Sequence, residues 1–386
     1  MDMSEQEYGK TMEDVYREEL VQAIDYAIKT GSFNKKKWVN SFENVCVFGL
    51  GKYFNEAFEQ QNVQKRYHVN LLSDNNPEKL KCSYGIPCVA LDELKNIESV
   101  IVIIMVGDSE SLCKQLDGYK LPWVLYQELS LDDYMEIPDD TKWFIDNKNK
   151  IIEVYDLLED EKSKQVYSTV LSNRIAHPVA KAWYRDVFSN DEYFHTDCFV
   201  LSDKEVYVDC GAYDGDTIQR FMQSVGYKYD HIYGYELDNE LYKRLNKKME
   251  NIKKVTCINA GVWNSSGQLT YGRGTENDPD EGISIYKRDS VVKGNVVTLD
   301  NSLLDNGVTL IKMDIEGAEQ KALVGGETII KRYTPKLAIC LYHRLDDLWE
   351  IPLYIKSICP QYKIFMRHHF PFNEWGTVMY ASVKSQ

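Results

Sequence analysis

The pattern of hydrophobic and polar residues predicts an α/β domain in the first third of the chain. Apolar residues at helical spacing predict an amphipathic helix over 11–30, which Gly31 ends. Three short β-branched segments that end in Gly or Asp follow, at 44–51, 68–74 and 99–107. Segments compatible with helices separate them, and this alternation is typical of a parallel sheet. We therefore predict a small Rossmann-like domain over residues 1–122.

A longer α/β pattern occupies the C-terminal half, after a charged segment at 123–200 that predicts a helical connector. Five segments have the composition of strands: 205–211, 231–238, 255–263, 308–317 and 336–343. Helix-compatible segments separate them, and a helix near 346–358 comes next. Two final strand-like segments are joined by a link that permits a hairpin but is too short for a parallel crossover. We predict a doubly wound sheet with an antiparallel terminal strand over 201–386.

Composition and charge narrow the possible functions. The 386 residues, 44% of them apolar, suit two hydrophobic cores. A net charge of −15 argues against nucleic acid as the main partner. The sequence starts without signal-peptide features and has no apolar run near the roughly 18 residues of a membrane span, so we expect a cytoplasmic protein. Nine cysteines show no metal-ligand spacing, and no zinc site is predicted.

The turn after the first strand of the second block, "VDCGAYDGDT" (208–217), is rich in both glycine and aspartate. In a doubly wound sheet the ligand lies over this turn, beyond the carboxyl ends of the strands. Phosphate groups favour positively charged glycine loops, so Asp209, Asp214 and Asp216 disfavour them. S-adenosylmethionine has no phosphate and carries an ammonium and a sulfonium, so the acidic turn predicts this cofactor. A plain turn that only closes a βα unit is the alternative.

The neighbouring residues extend this predicted cofactor site. Gly211 and Gly215 are expected to admit the methionine part, and Asp216 or Thr217 to cap the next helix. Glu236 follows about 20 residues later, where nucleoside-binding folds place an acid on the ribose hydroxyls. Adenine is expected near "NAGVW", 259–263. The predicted cofactor residues are Asp209, Gly211, Tyr213, Asp214, Gly215, Asp216, Thr217, Glu236, Leu237 and Gly261.

The fourth strand of this block leads into "TLIKMDIEGAEQKAL", 309–323. Strand alternation places Lys312, Asp314 and Glu316 on one face, at the end that reaches the ligand. Three charges on one face of a central strand are costly to bury unless they are paired. We therefore predict that Lys312 pairs with an acid and that Asp314 accepts a hydroxyl proton or holds a metal. A helix-capping acidic cluster is the alternative.

His343, at the end of the fifth strand, is the predicted general base. A neutral imidazole near pH 7 can take a hydroxyl proton, and Asp346 and Asp347 are close enough in sequence to orient it. A histidine that caps the following helix is equally compatible with the sequence. The pair of histidines in "MRHHF", 366–370, is a weaker candidate for the same pocket.

Residues from about 183 to 384 resemble the FkbM family of S-adenosylmethionine-dependent methyltransferases. The resemblance lies in "VDCGAYDGDT", "YELD" and above all "IKMDIEGAEQKALVGG". It implies a class I methyltransferase sheet and transfer of a methyl group to a hydroxyl of a sugar, glycan or secondary metabolite. It also implies that the acidic turn and Glu236 face the cofactor, while Lys312, Asp314, Glu316 and Gly317 close the acceptor side. Cys340 stands near the place where many members carry an acid, and His343 is retained.

Two predictions concern the loops and the N-terminal block. The polar segment 272–284 suits a lid over the pocket. In the N-terminal block, Gly49 and Gly51 follow a strand and Asp74 ends the next one, but the third glycine of a dinucleotide site is absent. This block resembles small Rossmann-like domains joined to sugar-modifying enzymes. The resemblance is compatible with a nucleotide or nucleotide-sugar site and equally with a scaffold for a partner or a second subunit.

Two other functions are compatible with the sequence. One is a non-catalytic protein that binds S-adenosylmethionine or a nucleotide-sugar. The other is an NAD-dependent oxidoreductase that uses the N-terminal block.

Overall fold

A computed structural model describes residues 10–383, except 53, 56–57, 59–61, 82–83, 107–108, 130–139, 177–179, 181, 191, 195–196 and 273–290. The chain forms two compact units. The first comprises Met1–Lys148, Ser168–Tyr184 and Phe372–Glu374, and the second comprises Asn149–Tyr167, Arg185–Pro371 and Trp375–Gln386.

The first unit is built on a parallel four-stranded sheet in the order β2-β1-β3-β4. Its strands are β1 (Asn44–Phe48), β2 (Leu71–Ser73), β3 (Val100–Ile104) and β4 (Trp123–Leu125). Its helices are α1 (Met12–Thr30), α2 (Lys35–Val39), α3 (Val63–Arg66) and α4 (Glu110–Gly118). α1 begins with a capping box between Thr11 and Asp14 and ends at Gly31, whose φ is 75°. The predicted helix and three strands are confirmed.

β4 lies at the start of the segment that we predicted to be a helical connector. It pairs in parallel with β3, so the first sheet continues beyond residue 122. Its residues are followed by neither Gly nor Asp, the residues that end the three predicted strand segments, so the pattern missed it. The rest of the segment is largely helical, as predicted, and contains α5 (Thr141–Leu157) and α6 (Glu161–Ala176).

The second unit contains a seven-stranded sheet and a separate three-stranded sheet. In chain order the strands are β5 (Val206–Cys210), β6 (His231–Tyr235), β7 (Val255–Ile258), β8 (Gly261–Val262), β9 (Gly267–Gly272), β10 (Val291–Val297), β11 (Leu310–Met313), β12 (Lys336–Cys340), β13 (Lys363–His368) and β14 (Thr377–Ser382). The helices are α7 (Asp216–Ser224), α8 (Asn239–Met249), α9 (Leu299–Leu303), α10 (Glu319–Gly325), α11 (Glu327–Tyr333) and α12 (Asp347–Ile358).

The large sheet has the order β13-β14-β12-β11-β5-β6-β7. β5, β6, β7, β11 and β12 run parallel, whereas β14 is antiparallel to both of its neighbours. The predicted doubly wound sheet with an antiparallel terminal strand is therefore confirmed. The chain moves outward from β5 in one direction and from β11 in the other, so the ligand crevice is expected where the carboxyl ends of these two strands meet.

The small sheet has the order β8-β10-β9 and was not predicted. Gly294 interrupts the apolar run of β10, which weakens its strand signal. The predicted lid at 272–284 lies, from residue 273 onward, outside the described residues. Among the helices of the described chain, none is long and apolar enough to cross a membrane.

Candidate active site

A cavity of about 460 Å³ opens at the carboxyl ends of β5, β6 and β11 in the second unit. This volume is in the range of small-molecule sites. The predicted site residues that line it are Gly211, Tyr213, Asp216, Thr217, Glu236, Leu237, Gly261, Lys312, Asp314 and Glu316. The predicted residues that do not line it are Asp209, Asp214, Gly215, Gly317 and His343. The fold therefore brings the two predicted halves of the site to one cavity.

The turn after β5 depends on Gly211, because it packs against the turn after β11. Gly211 has a φ of 81°, and a Cβ atom there would lie 2.0 Å from the carbonyl oxygen of Asp314. The amide of Asp314 in turn donates to the carbonyl of Cys210 at 3.1 Å. A side chain at residue 211 would force the two turns apart and change the shape of the cavity.

Asp209 lies beneath this turn and is fully buried. Its carboxylate is 3.0 Å from the Nζ of Lys312, which is itself 2% exposed and also donates to the carbonyl of Gly211 at 2.8 Å. Burial lowers the pKa of Lys312, but the carboxylates of Asp209 and Asp314 outweigh it and the net pKa is above the usual value. Asp209 thus braces the turn and pairs with Lys312, whereas we expected it to face the cofactor.

Of the other two acids in the turn, only Asp216 reaches the cavity. Asp214 is 3.3 Å from the Nζ of Lys248, and its other oxygen accepts from the amide of Asp216 at 3.1 Å. The prediction that Asp216 or Thr217 caps the next helix is wrong. The N-cap of α7 is Gly215, with a φ of 89°, which has no side chain to make a capping bond, and the amide of Asp216 donates instead to Asp214.

Glu236 lines the cavity at the end of β6 and is 5% exposed. One carboxylate oxygen accepts from the amide of Tyr213 at 2.9 Å and the other from the amide of Asp238 at 2.8 Å. Burial raises the pKa of Glu236 to about 7, although the two amides favour the charged form. Each oxygen can accept a further hydrogen bond from a ligand hydroxyl.

The segment expected near adenine does lie along the same cavity. Gly261, Val262 and Trp263 line it beside Leu237. Asn259 has a different position: its side-chain amide donates to the backbone carbonyl of Glu236 at 3.0 Å. It therefore fixes the end of β6, while the residues after it form an apolar wall.

Asp314 is held by two tyrosines that the sequence analysis did not identify. Tyr342 donates to Oδ1 at 2.8 Å and Tyr193 donates to Oδ2 at 3.2 Å. Burial raises the pKa of Asp314, but Lys312 and His343 outweigh it and the net pKa is below the usual range. Asp314 is thus an ionised, oriented carboxylate. Tyr193 had no signal in the sequence because it lies in the segment assigned to the connector.

His343 lies behind the cavity wall, and its surroundings oppose the predicted neutral base. Nδ1 is 2.9 Å from Glu319, and Nε2 is 3.4 Å from Asp314 and 3.5 Å from Glu316. Burial lowers the pKa of His343, but Glu319, Glu316 and Asp314 raise it to about 10. The three nearby acids therefore favour the protonated form of the imidazole over the neutral form.

The residues expected to orient His343 make other contacts. Asp346 pairs with Arg344 at 2.8 Å, and Asp347 accepts from Gln320 at 2.9 Å. Glu319, which the sequence analysis missed, is the acid nearest to the ring. The alternative role of His343 as a helix cap is also wrong, because the N-cap of α12 is Asp346 and no side chain makes a capping bond.

His369, from the pair in "MRHHF", lines the far side of the cavity with Phe370 and Trp375, whereas His368 does not. Nδ1 of His369 donates to the carbonyl of Ser189 at 2.8 Å, and Nε2 accepts from the hydroxyl of Tyr380 at 2.8 Å. Burial lowers the pKa of His369 to about 4. The ring is therefore neutral, but both nitrogens are already used.

In the first unit, Asp74 is used within its own turn. One carboxylate oxygen accepts from the amide of Leu50 at 2.8 Å and lies 3.1 Å from the Nζ of Lys79. The other accepts from the amide of Asn76 at 2.8 Å. These contacts stabilise the turn and give no support to the predicted nucleotide or nucleotide-sugar site.

The strand order, the glycine turn after β5 and the acid at the end of β6 define a class I methyltransferase architecture. Residues 209–375 match the family model described as "Methyltransferase FkbM domain".

Similar solved structures include one that shares this fold over almost the whole chain. The structure of methyltransferase FkbM from Methylobacillus flagellatus KT is similar over 96% of this chain and 100% of that chain, with a TM-score of 0.66 and 20% identity. Aeropyrum pernix fibrillarin, solved with S-adenosyl-L-methionine, matches 47% of this chain and 69% of its own, with a TM-score of 0.32 and 14% identity. SMU.1697c from Streptococcus mutans, a putative methyltransferase solved with SAH, matches 47% of this chain and 90% of its own, with a TM-score of 0.31 and 13% identity. A comparison with curated proteins gave no match.

Proposed function

We propose that the protein is an S-adenosylmethionine-dependent O-methyltransferase that acts on a hydroxyl of a sugar, a glycan or a related secondary metabolite. The observation that carries the proposal is one cavity lined by Asp216 and Glu236 on one side and by Lys312 and Asp314 on the other. The first pair suits a cationic nucleoside cofactor, and the second suits an acceptor hydroxyl.

The residues on the donor side fit S-adenosylmethionine. Glu236 has remaining acceptor capacity for ribose hydroxyls, because each of its oxygens accepts only one backbone amide. Asp216 is an exposed acid on the turn and can attract the ammonium group. Leu237 and Val262 offer apolar surface to the adenine. When bound, the cofactor supplies a methyl group on a positively charged sulfur.

On the acceptor side, the main tasks are to align an oxygen and remove its proton. Asp314 is held in place by Tyr342 and Tyr193, so it presents a fixed carboxylate to a hydroxyl group. Methyl transfer would form a carbon–oxygen bond at the hydroxyl, break the carbon–sulfur bond of the donor and make the alkylated oxygen strongly acidic. Even a carboxylate with a low pKa can then accept the proton and release it to water. This role needs no neutral imidazole.

The acceptor class is supported by the aromatic residues at the edge of the cavity. Phe370 is 38% exposed and Trp375 is 40% exposed, with ring centroids 6.0 Å apart. Exposed aromatic faces gain dispersion energy by packing on the C–H faces of a sugar ring. Carboxylates elsewhere on the wall can accept hydrogen bonds from sugar hydroxyls.

Calorimetric titration of the full chain tests the donor half. We expect S-adenosylmethionine and S-adenosylhomocysteine to bind, and NAD and UDP-sugars not to bind in their place. Binding of NAD without S-adenosylmethionine would refute the proposal and favour an oxidoreductase. Binding of S-adenosylmethionine without any methyl transfer would favour the alternative of a non-catalytic binding protein.

Mass spectrometry with a panel of free sugars, nucleotide-sugars and glycans tests the acceptor half. We expect one product with an added methyl group, and we expect Asp314→Asn to slow its formation roughly a hundredfold to ten-thousandfold. Asp305→Asn is the matched control, because Asp305 is 86% exposed and pairs only at the surface with Arg332. Equal losses in the two variants would contradict the role of Asp314.

A further inference from the structure

A compact group of one histidine and three carboxylates lies where β11 and β12 end. Three of these residues, Asp314, Glu319 and His343, each offer one potential ligand atom. These three atoms lie within 4.8 Å of one another. Nε2 of His343 is also 3.5 Å from Glu316. Asp314 and Glu316 line the cavity, whereas His343 and Glu319 are buried behind them.

The buried members of this group are close together but poorly satisfied. Glu319 has no exposed surface, and its Oε2 accepts no hydrogen bond from any described residue. Its Oε1 accepts from the amide of Ile315 at 2.8 Å. Nε2 of His343, a residue that is 8% exposed, also makes no hydrogen bond within the described chain. Buried polar atoms without partners are costly, so this arrangement points to an additional ligand.

We propose that this group binds a divalent metal cation, with Nε2 of His343 and the carboxylates of Asp314 and Glu316 as its protein ligands. Two ligand atoms that lie about 2.1 Å from one metal, at a tetrahedral angle, are about 3.4 Å apart. Nε2 is 3.4 Å from Asp314 and 3.5 Å from Glu316, which matches that separation. One imidazole with two carboxylates suits Mn²⁺, Fe²⁺ or Zn²⁺ better than a cation that prefers oxygen alone.

Glu319 completes the arrangement on the other side of the ring. Metal-binding histidines commonly offer their second nitrogen to a carboxylate, which fixes the ring and raises its basicity as a ligand. Nδ1 of His343 lies 2.9 Å from Glu319, and the amide of Ile315 holds that carboxylate. Because Asp314 and Glu316 face the cavity, a cation can enter from there and keep an open position toward an acceptor oxygen.

Metal binding can be measured without any cofactor or acceptor, so its outcome is separate from that of the proposed methyl transfer. The full chain is treated with a chelator, dialysed and titrated with Mn²⁺ while free Mn²⁺ is followed by electron paramagnetic resonance. Zn²⁺ is titrated separately by calorimetry. We expect one site per chain for at least one of the two ions.

Variants connect that site to the proposed residues. His343→Gln and Glu316→Gln are expected to weaken binding at least tenfold, and Glu319→Gln roughly tenfold to a hundredfold by releasing the ring. Asp216→Asn is the matched control, since Asp216 lines the same cavity outside the group and should leave the metal affinity unchanged. Circular dichroism verifies that each variant is folded. Absence of stoichiometric binding of both ions, or unchanged affinity in folded His343→Gln and Glu316→Gln, would overturn the proposal.

Discussion

Glu236 carries a buried charge that the protein keeps at a cost in stability, and Glu236→Gln measures that cost. The side chain is 5% exposed, and no basic side chain lies within ion-pair distance of it in the described chain. Burial raises its pKa from an ordinary value of 4.5 to about 7, against the effect of two backbone amides. At about 1.4 kcal/mol per pH unit, this difference corresponds to about 3 kcal/mol.

The sign of the effect follows from the proton uptake. Between about pH 4.5 and pH 7 the folded protein binds the Glu236 proton more tightly than the unfolded chain does. The free energy of unfolding therefore falls as the pH rises through this range, and it becomes level above it. Glutamine cannot ionise, so Glu236→Gln lacks this contribution. We expect its stability relative to the wild type to increase by about 2.5 kcal/mol between about pH 5 and about pH 8.

Urea unfolding followed by circular dichroism at the two pH values measures this change. Other titrating groups, including Glu374 with a pKa raised to about 7 by burial, cancel in the difference between variant and wild type. Glu250→Gln is the control, because Glu250 is exposed and should not change the pH dependence. If Glu236→Gln has the same pH dependence as the wild type, the charge at this site is not buried as we describe. The same variant should also bind S-adenosylhomocysteine roughly tenfold more weakly.

Two further substitutions test the contacts beneath the cavity. Lys312→Met should lower the free energy of unfolding, measured in urea, by about 3–5 kcal/mol because it leaves Asp209 buried and unpaired. Adding Asp209→Asn should restore part of this loss. If the losses of the two substitutions are strictly additive, the two side chains do not form the ion pair that we describe. Gly211→Ala should abolish the binding of S-adenosylhomocysteine in calorimetry, because the added Cβ would lie 2.0 Å from the carbonyl oxygen of Asp314. Gly226→Ala is the control. Gly226 has a φ of 60°, but no atom lies within 4 Å of the added Cβ, so this variant should retain binding.

The order of elements could be predicted because long β-branched segments and short links carry a strong local signal. The hairpin of β13 and β14 followed from the length of its link alone, and the structure confirms it. By contrast, no Gly or Asp marks the end of β4, and the segment 255–263, which we predicted to be one strand, is divided into β7 and β8 of two different sheets. Their assignment depends on neighbouring strands that only the fold supplies.

For the candidate site, the sequence indicated which residues lie near the ligand, but not which side chains pair with one another. Asp209 and Lys312 are 103 residues apart, and they meet because they are paired in register on the adjacent strands β5 and β11. Until the strand order was known, Lys312 could have paired with Asp314 or Glu316 just as well. Glu319 was overlooked for a similar reason, since its importance comes from its distance to His343 and not from any pattern in α10.

These pairings change the electrostatic argument about the acidic turn without reversing it. Asp209 and Asp214 are compensated by Lys312 and Lys248, so they contribute little attraction to a cationic ligand. The basic residues of the cavity wall are compensated as well: Lys312 by Asp209 at 3.0 Å, and Arg220 by Glu192 at 3.6 Å. A pyrophosphate would therefore find no uncompensated positive charge among these side chains, whereas the exposed Asp216 remains available to an ammonium group. The preference for a cation thus depends on one acid of the turn together with the pairing of the basic residues.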